Sequence, residues 1–207
     1  MRPLPCSALV IGVVLFALPR PGFAQARRPV VDAQPETHEG GYLRLMLGAG
    51  WTSTSNGESE VNVSGFGRLL SLGVGTSIAS NTILSLEFLA TSASNQTGKG
   101  DRADYVNHGA STSILAAGPG ITYYLMPWNA FVSLTVTILT KLAVKNEAHS
   151  GGSDFGLGGA FTVGKEWRLP SKLAFGLAGT CVLAGAEAGG TTWATTTCAL
   201  ALSATYN

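Results

Sequence analysis

The alternation of side chains near the C-terminus constrains the fold of this chain more than any other feature. Between residues 173 and 206, two stretches place aliphatic, aromatic and cysteine residues at every second position, separated by Gly189 and Gly190. A Gly-Gly pair suits a type I′ turn, because both central residues of that turn need positive φ. The pattern predicts an antiparallel hairpin that places Cys181 opposite Cys198. The other face carries mostly Ala, Gly, Ser and Thr, as expected for a barrel whose outer surface contacts lipid.

The paired cysteines leave two interpretations open. Cys181 and Cys198 form a cross-strand disulfide, or they are two small unreactive thiols facing lipid. The third cysteine, Cys6, belongs to the N-terminal segment described next.

The N-terminal segment has the features of a secretory signal. Arg2 supplies a positive start, residues 8–18 are apolar, and residues 24–26 read Ala-Gln-Ala. We expect residues 1–26 to be a signal peptide, residues 27–40 to be a short flexible periplasmic arm, and residues 41–207 to form the barrel. The apolar stretch is shorter than the roughly 20 residues that a transmembrane helix needs.

The composition excludes several functional classes. Only 12% of residues are charged and the formal charge is +1, so the chain lacks the basic surface of a nucleic-acid-binding protein. It is too apolar for a disordered protein, although it contains 27 glycines. The few histidines and the lack of Cys-x-x-Cys predict no metal site, and no glycine-rich stretch precedes a helix that would bind a phosphate cofactor.

The remaining alternation predicts eight strands in total. They span residues 42–53, 65–78, 83–92, 110–125, 130–144, 155–167 and the two halves of the closing hairpin. Residues 54–64, 93–109 and 146–154 form long polar connections, whereas residues 79–82, 126–129 and 168–171 form short turns. Long loops at one end and short turns at the other are typical of outer-membrane barrels, which places both termini on the periplasmic side.

Aromatic residues fall near the predicted rims. Four lie near the periplasmic rim and two near the outer rim, where amphipathic rings favour the headgroup level. This predicted girdle comprises Tyr123, Trp128, Trp167 and Tyr206 at the first rim and Trp51, together with Phe155, at the second.

Pro119 interrupts a predicted strand of a closed barrel, where it has no edge position available. The flanking Gly118 and Gly120 predict a bulge or bend. A one-residue shift there would invert the facing of residues 111–117.

The charges predicted to face the lumen are few. They are Arg44, Glu87, Lys141 and Glu166. An eight-stranded barrel is only wide enough for its own side chains. We therefore favour a structural ion-pair network, with Arg44 paired to one or both carboxylates, over a gate or narrow polar path.

Inward glycines leave the state of the lumen open. They either create a ligand-sized cavity or relieve crowding in a strongly twisted barrel. These glycines are Gly48, Gly50, Gly73, Gly75, Gly156 and Gly158.

The sequence carries no convincing catalytic set. His108 with Ser111 and His149 with Ser150 are candidate pairs for lipid hydrolysis, but no spacing supplies a third partner. We expect solvated loop histidines and no enzymatic activity.

A soluble lipid-binding barrel of the lipocalin type is the main rival fold. Its large apolar side chains would face inward and its charges outward. Periodicity does not distinguish inside from outside, whereas the signal sequence and the aromatic rims favour the membrane barrel.

The chain resembles the small Gram-negative outer-membrane barrels around OmpA, OmpX and OmpW. The resemblance rests on the signal sequence, the GPGITYY stretch from Gly118 to Tyr124, and the LALSATY stretch from Leu200 to Tyr206. It implies an all-β, eight-stranded antiparallel transmembrane barrel in the outer membrane, monomeric, with periplasmic chaperones and the barrel-assembly machinery as partners during biogenesis. The penultimate position of Tyr206 departs from the usual terminal aromatic. The implied role is a membrane scaffold or a passage for small solutes or hydrophobic compounds, with surface interaction through the loops as the alternative.

Overall fold

A computed structural model describes residue 38 and residues 40–56, 62–94, 97–99, 111–145, 150–169, 172–188 and 191–207. The predicted signal peptide, most of the arm, the Gly189-Gly190 turn, His108 and His149 lie outside these residues. Ten strands are present: β1 Gly41–Asn56, β2 Asn62–Ala79, β3 Thr82–Ala93, β4 Thr97–Lys99, β5 Ser111–Leu125, β6 Ala130–Lys145, β7 Ser150–Gly152, β8 Gly156–Arg168, β9 Leu173–Ala188 and β10 Thr191–Tyr206.

The eight long strands form a closed antiparallel barrel. Each pairs with its neighbour along the chain, and β1 pairs with both β2 and β10, which removes every free edge. The predicted fold class is therefore confirmed. The three-residue strands β4 and β7 were not predicted from the sequence. They pair with the ends of β2 and β6 and extend the sheet toward the long connections.

The closing hairpin has the predicted register. Cys198 pairs with Cys181, and Tyr206 pairs with Leu173. Every intervening residue of β10 is matched to β9 without a shift. The alternation therefore determines which face each residue occupies, since one slip would exchange the two faces.

Apolar side chains cover the outside of the barrel. Leu47 is 56% exposed and Leu202 is 67% exposed, whereas Arg44 is 1% exposed and Glu87 is 2% exposed. This sidedness is the opposite of that of a lipocalin, whose large apolar residues line the interior. The rival fold is therefore excluded.

The irregularity predicted at Pro119 lies on the neighbouring strand. Pro119 pairs with Leu86 of β3 and the alternation of β5 continues through it, so residues 111–117 keep their facing. The register between β5 and β6 shifts between Ala117 and Gly120, with one extra residue on β6. Ile138 and Leu139 both face outward at this point. Pro119 has no N–H to donate to β6. The bulge lets β6 pass this position without that hydrogen bond.

Because of this bulge, the predicted facing of Lys141 is wrong. Lys141 was expected to face the lumen, but two consecutive outward residues invert the alternation of β6 beyond them. Thr140 is buried and Lys141 is exposed on the outer surface.

Within the part of the chain that the structure describes, no helix is long and apolar enough to cross a membrane.

Candidate functional site

The barrel has two ends that differ in their connections. We define the short-turn end as the end that holds His38, residues 126–129, the β8–β9 connection and Asn207. The opposite end is the long-loop end. Three inward charges meet toward the short-turn end of the lumen. Arg44 and Glu166 lie near the short-turn ends of β1 and β8, and Glu87, at the middle of β3, is paired with Arg44.

Arg44 and Glu87 form a buried ion pair across the lumen. Arg44 Nη2 lies 3.2 Å from Glu87 Oε1. Glu87 also accepts hydrogen bonds from the hydroxyls of Ser85 at 3.0 Å and Ser71 at 3.3 Å. Two charges removed from water require such partners, because their mutual attraction alone seldom offsets their desolvation.

Aromatic rings enclose the Arg44 guanidinium. Its central carbon lies 4.8 Å from the ring centroid of Phe131 and 5.5 Å from that of Tyr42. Nη2 donates a second hydrogen bond to Ser133 Oγ at 3.3 Å. A guanidinium tolerates such apolar faces because it is planar and weakly hydrated.

Glu166 belongs to a second group of hydrogen bonds. It accepts from Thr205 Oγ1 at 2.6 Å and from the Tyr124 hydroxyl at 3.2 Å. Neither bond involves Arg44, so the arginine is paired directly with one of the two carboxylates. We call the two groups together the lumen plug, consisting of Tyr42, Arg44, Glu87, Tyr124, Phe131 and Glu166.

His38 covers the lumen plug at the short-turn end. Its ring stacks on Tyr124, with centroids 3.6 Å apart and planes inclined by 17°. Its Nε2 lies 3.2 Å from Asn129 Oδ1, and its Nδ1 lies 3.0 Å from Arg168 Nη2. Because Arg168 can only donate, Nδ1 accepts and the proton of the neutral ring is on Nε2.

Burial favours the neutral form of His38. It lowers the pKa of His38 to about 4; the hydrogen bond to Asn129 raises the pKa and the charge of Arg168 lowers it. Two turn asparagines help to position the ring. Asn81 Oδ1 accepts from the backbone N–H of His38 at 3.2 Å, and Asn81 and Asn129 have φ of 63° and 51°. Asparagine is one of the few non-glycine residues that adopt this conformation readily.

Sequence reasoning missed the position of His38, because it assigned this residue to the flexible arm. The inward facing of Tyr124, one of the aromatic residues of the lumen plug, could have been predicted from the sequence. Tyr124 follows Tyr123, which was assigned outward, so strand alternation already required Tyr124 to face inward.

The half of the lumen next to the long-loop end is lined by small residues and hydroxyl pairs. The Oγ1 atoms of Thr52 and Thr197 lie 3.0 Å apart, and so do those of Thr54 and Thr195. Each pair joins two neighbouring strands. These bonds satisfy both hydroxyls without introducing charge.

The inward glycines occupy positions where strands approach closely. A Cβ at Gly48 would lie 2.7 Å from the carbonyl oxygen of Leu200, and one at Gly73 would lie 2.5 Å from Glu87 Oε1. Gly50, Gly75, Gly156 and Gly158 also have no room for a Cβ. The glycines therefore relieve crowding, and they do not open a cavity of their own.

The predicted girdle residues are all on the outer surface. Tyr123, Trp128, Trp167 and Tyr206 lie toward the short-turn end and are 49–70% exposed. Trp51 is 58% exposed and lies beside Phe66 in the register of β1 and β2, nearer the long-loop end.

The two cysteines are bonded in this structure. Cys181 and Cys198 occupy a directly opposed pair of β9 and β10, with Cα atoms 4.1 Å apart, and their sulfur atoms form a disulfide. The bond lies on the outward face of the hairpin, because the flanking residues Val182 and Ala199 are buried.

Among the described residues, no group of three His, Cys, Asp or Glu side chains is arranged to hold a metal ion. The only described histidine is His38, which stacks on Tyr124.

The chain is similar in structure to several bacterial surface and outer-membrane proteins. Neisserial surface protein A is 11% identical to this chain, with a TM-score of 0.50 over 79% of this chain and 96% of that one. OprG from Pseudomonas aeruginosa is 12% identical, with a TM-score of 0.46 over 82% and 96%. The outer membrane protease OmpT from Escherichia coli is 6% identical, with a TM-score of 0.46 over 84% and 99%.

The first of these similarities supports the fold at low sequence identity. The chain thus has the architecture of a small outer-membrane β-barrel, as the resemblance implied. No protein-family model and no curated protein sequence matches the chain.

Proposed function

We propose that this protein is a closed, membrane-embedded scaffold of the outer membrane, with no continuous pore. The lumen plug carries the proposal. Arg44, paired with Glu87 and enclosed by Tyr42 and Phe131, crosses the lumen of a barrel that is only wide enough for its own side chains. A passage for small solutes would require this group to move.

The membrane placement is supported by the outer surface and the sequence. The outward face is aliphatic with exposed aromatic residues toward both rims. The predicted signal peptide accounts for export, and the resemblance accounts for passage through periplasmic chaperones and the barrel-assembly machinery. In this orientation the short-turn end faces the periplasm. The proposed scaffold is monomeric and has no catalytic role.

Conductance in a planar bilayer tests the closed lumen. The protein from Arg27 onward, refolded in detergent, is compared with Arg44→Ala. We expect a silent wild type, since the plug is packed, and intermittent channels in the variant, since its loss removes the side chain that spans the lumen. Steady channels in the wild type would contradict the proposal and favour solute passage.

Accessible-thiol labelling tests the orientation. A membrane-impermeant thiol reagent added to intact cells should label Gly98→Cys in the connection between β3 and β5, but not Ser80→Cys in the β2–β3 turn. The opposite pattern would overturn the assignment of the short-turn end to the periplasm.

Surface interaction through the loops is a second candidate function. The observation that favours it is the pairing of β4 with β2 and of β7 with β6, which extends the sheet beyond the eight-stranded barrel. Shortening these connections should then abolish binding to a target surface while the silent bilayer trace is retained. Unchanged binding after both deletions would exclude this function.

A further inference from the structure

A groove crosses the outer surface of the sector formed by β1, β2, β3, β5 and β6. It has a volume of about 650 Å³. Leu47, Leu70 and Leu115 line it with exposed side chains, and the small residue Ala90 lies between Leu70 and Leu115 in the strand register. Because the side chain of Ala90 is only a methyl group, a channel remains between the two leucines, of the kind that an acyl chain fills.

Two cations lie along this groove. Arg68 of β2 and Lys141 of β6 both line it and both point outward. Among the side chains that the structure describes on these five strands, no other outward one is charged. Asp154 is exposed and lies between Ser153, which is hydrogen-bonded to Leu142 of β6, and Phe155, but it forms no ion pair with Lys141.

Neither cation has a carboxylate partner among the described residues. Within the described chain, the only ion pair joins Arg44 to Glu87 in the lumen. Lys141 Nζ lies 4.6 Å from the ring centroid of Phe155, a contact that positions the ammonium group without neutralising it. No carboxylate among the described residues therefore neutralises the two positive charges on this face.

Both cations lie equally far along their strands from the short-turn end. Arg68 is eleven residues before the end of β2, and Lys141 is eleven residues after the start of β6. At about 3.3 Å per residue and a tilt of about 40°, the corresponding height is roughly 28 Å, beyond an apolar band of about 25 Å. A charge on the lipid face is costly at the midplane and nearly neutral at the interface.

The cations flank two hydroxyl groups. Arg68 pairs in register with Ser92 of β3, and Ser92 pairs with Ser113 of β5. Both serines line the groove. The strands of Arg68 and Lys141 are three steps apart, about 14 Å at the usual strand spacing. Ser113 pairs with Ala143 of β6, whereas Lys141 pairs with Leu115, two residues nearer the short-turn end. Arg68 and the two serines therefore form a row beside the leucine row, and Lys141 lies at the β6 end of the leucine row.

We propose that this groove binds a phosphorylated lipid of the outer leaflet. Its acyl chain lies over Ala90 between Leu70 and Leu115, and its phosphate groups contact Arg68 and Lys141, with Ser92 and Ser113 as hydrogen-bond donors. The inference rests on the proposed placement of the barrel in the outer membrane. A lipid with two separated phosphate groups matches the spacing of the two cations better than one with a single phosphate.

Titration of the detergent-solubilised protein with diphosphoryl lipid A tests the site. The variants Arg68→Gln and Lys141→Gln, made singly and as a double variant, keep a polar side chain and remove the charge. Lys165→Gln is the matched control, because Lys165 is an outward cation near Trp167 at the other rim. The readout is the dissociation constant from native mass spectrometry, with dephosphorylated lipid A as the comparison lipid.

The expected loss is about fivefold in affinity for each charge removed at the groove. Lys165→Gln should bind as the wild type does, and dephosphorylated lipid should bind the wild type and the double variant equally. Equal binding of diphosphoryl lipid A by the wild type and the double variant would overturn the proposal, as would an equal loss in Lys165→Gln. Displacement by millimolar inorganic phosphate would also overturn it, since the acyl chain would then contribute nothing.

A parallel assay separates this inference from the proposed function. Folding of each variant into lipid vesicles is followed by the mobility of the unheated protein on gels. If the variants fold and their affinity for lipid A is unchanged, the lipid site is contradicted and the membrane placement is not. Failure of the wild type to insert into vesicles contradicts the membrane placement itself.

Discussion

The two halves of the lumen are filled in different ways. Next to the short-turn end, the charged and aromatic side chains of the lumen plug cross the barrel and contact several strands. Next to the long-loop end, threonine pairs join adjacent strands, and glycines allow close backbone approach. The first half depends on a few long-range interactions, whereas the second depends on many local ones. Substitutions should therefore have large effects in the plug and small effects in the threonine region.

Removal of Arg44 should have the largest effect. Arg44→Met leaves Glu87 buried opposite an apolar group, and we expect a loss of about 3–5 kcal/mol in the free energy of unfolding. Urea unfolding in phospholipid vesicles measures it. The double variant with Glu87→Gln is the control, because it removes both charges and should be markedly more stable than the single variant. Equal stability of the two variants would contradict a direct ion pair.

A methyl group at Gly48 should have the next largest effect. The Cβ of Gly48→Ala would lie 2.9 Å from that of Ala201 as well as against the Leu200 carbonyl, and we expect a loss of about 1–3 kcal/mol from overpacking. The same urea titration is used. Gly179→Ala is the matched control, since the nearest atom to its Cβ would be 4.0 Å away. A similar loss in both variants would point to strand propensity in place of crowding.

Loss of one threonine pair should have a smaller effect. Thr52→Val with Thr197→Val replaces both hydroxyls by methyl groups of similar shape, so no unpaired donor remains, and we expect a change below about 1 kcal/mol. The single variant Thr52→Val should cost more than the double variant, because the Thr197 hydroxyl loses its partner. A double variant as unstable as Arg44→Met would refute the contrast between the two halves.

The contribution of His38 should depend on pH. The pKa of His38 is about 4 in the folded protein and about 6.5 in the unfolded chain, so the unfolded chain binds more protons between these values. Stability from the neutral ring is complete above pH 6.5 and falls as the pH is lowered toward 4. Wild type and His38→Gln are unfolded in urea at several pH values. The difference between them should shrink over this window, and a constant difference would rule out this linkage.

The sequence predicted the fold well because each strand has a lipid face and a lumen face. That alternation assigned the facing of β1, β2, β3 and the closing hairpin, and it placed Arg44, Glu87 and Glu166 inside. Lys141 was assigned to the wrong face because the bulge opposite Pro119 formed on β6, and a single strand gives no signal of where its neighbour takes an extra residue. His38 was missed because its partners Tyr124, Asn129 and Arg168 are distant in sequence. Only the closed barrel brings them together.

The extra residue at Ile138 and Leu139 has a consequence for how this protein tolerates insertions and deletions. Side-chain facing in a strand has a period of two, so loss of one of these two residues would leave a regular strand in which Thr140 still faces inward and Lys141 still faces outward. Loss of both residues would exchange the two faces of the outer part of β6. Lys141 would then turn into the interior and Thr140 toward lipid. Length variation in related chains should therefore occur here as the gain or loss of a single residue.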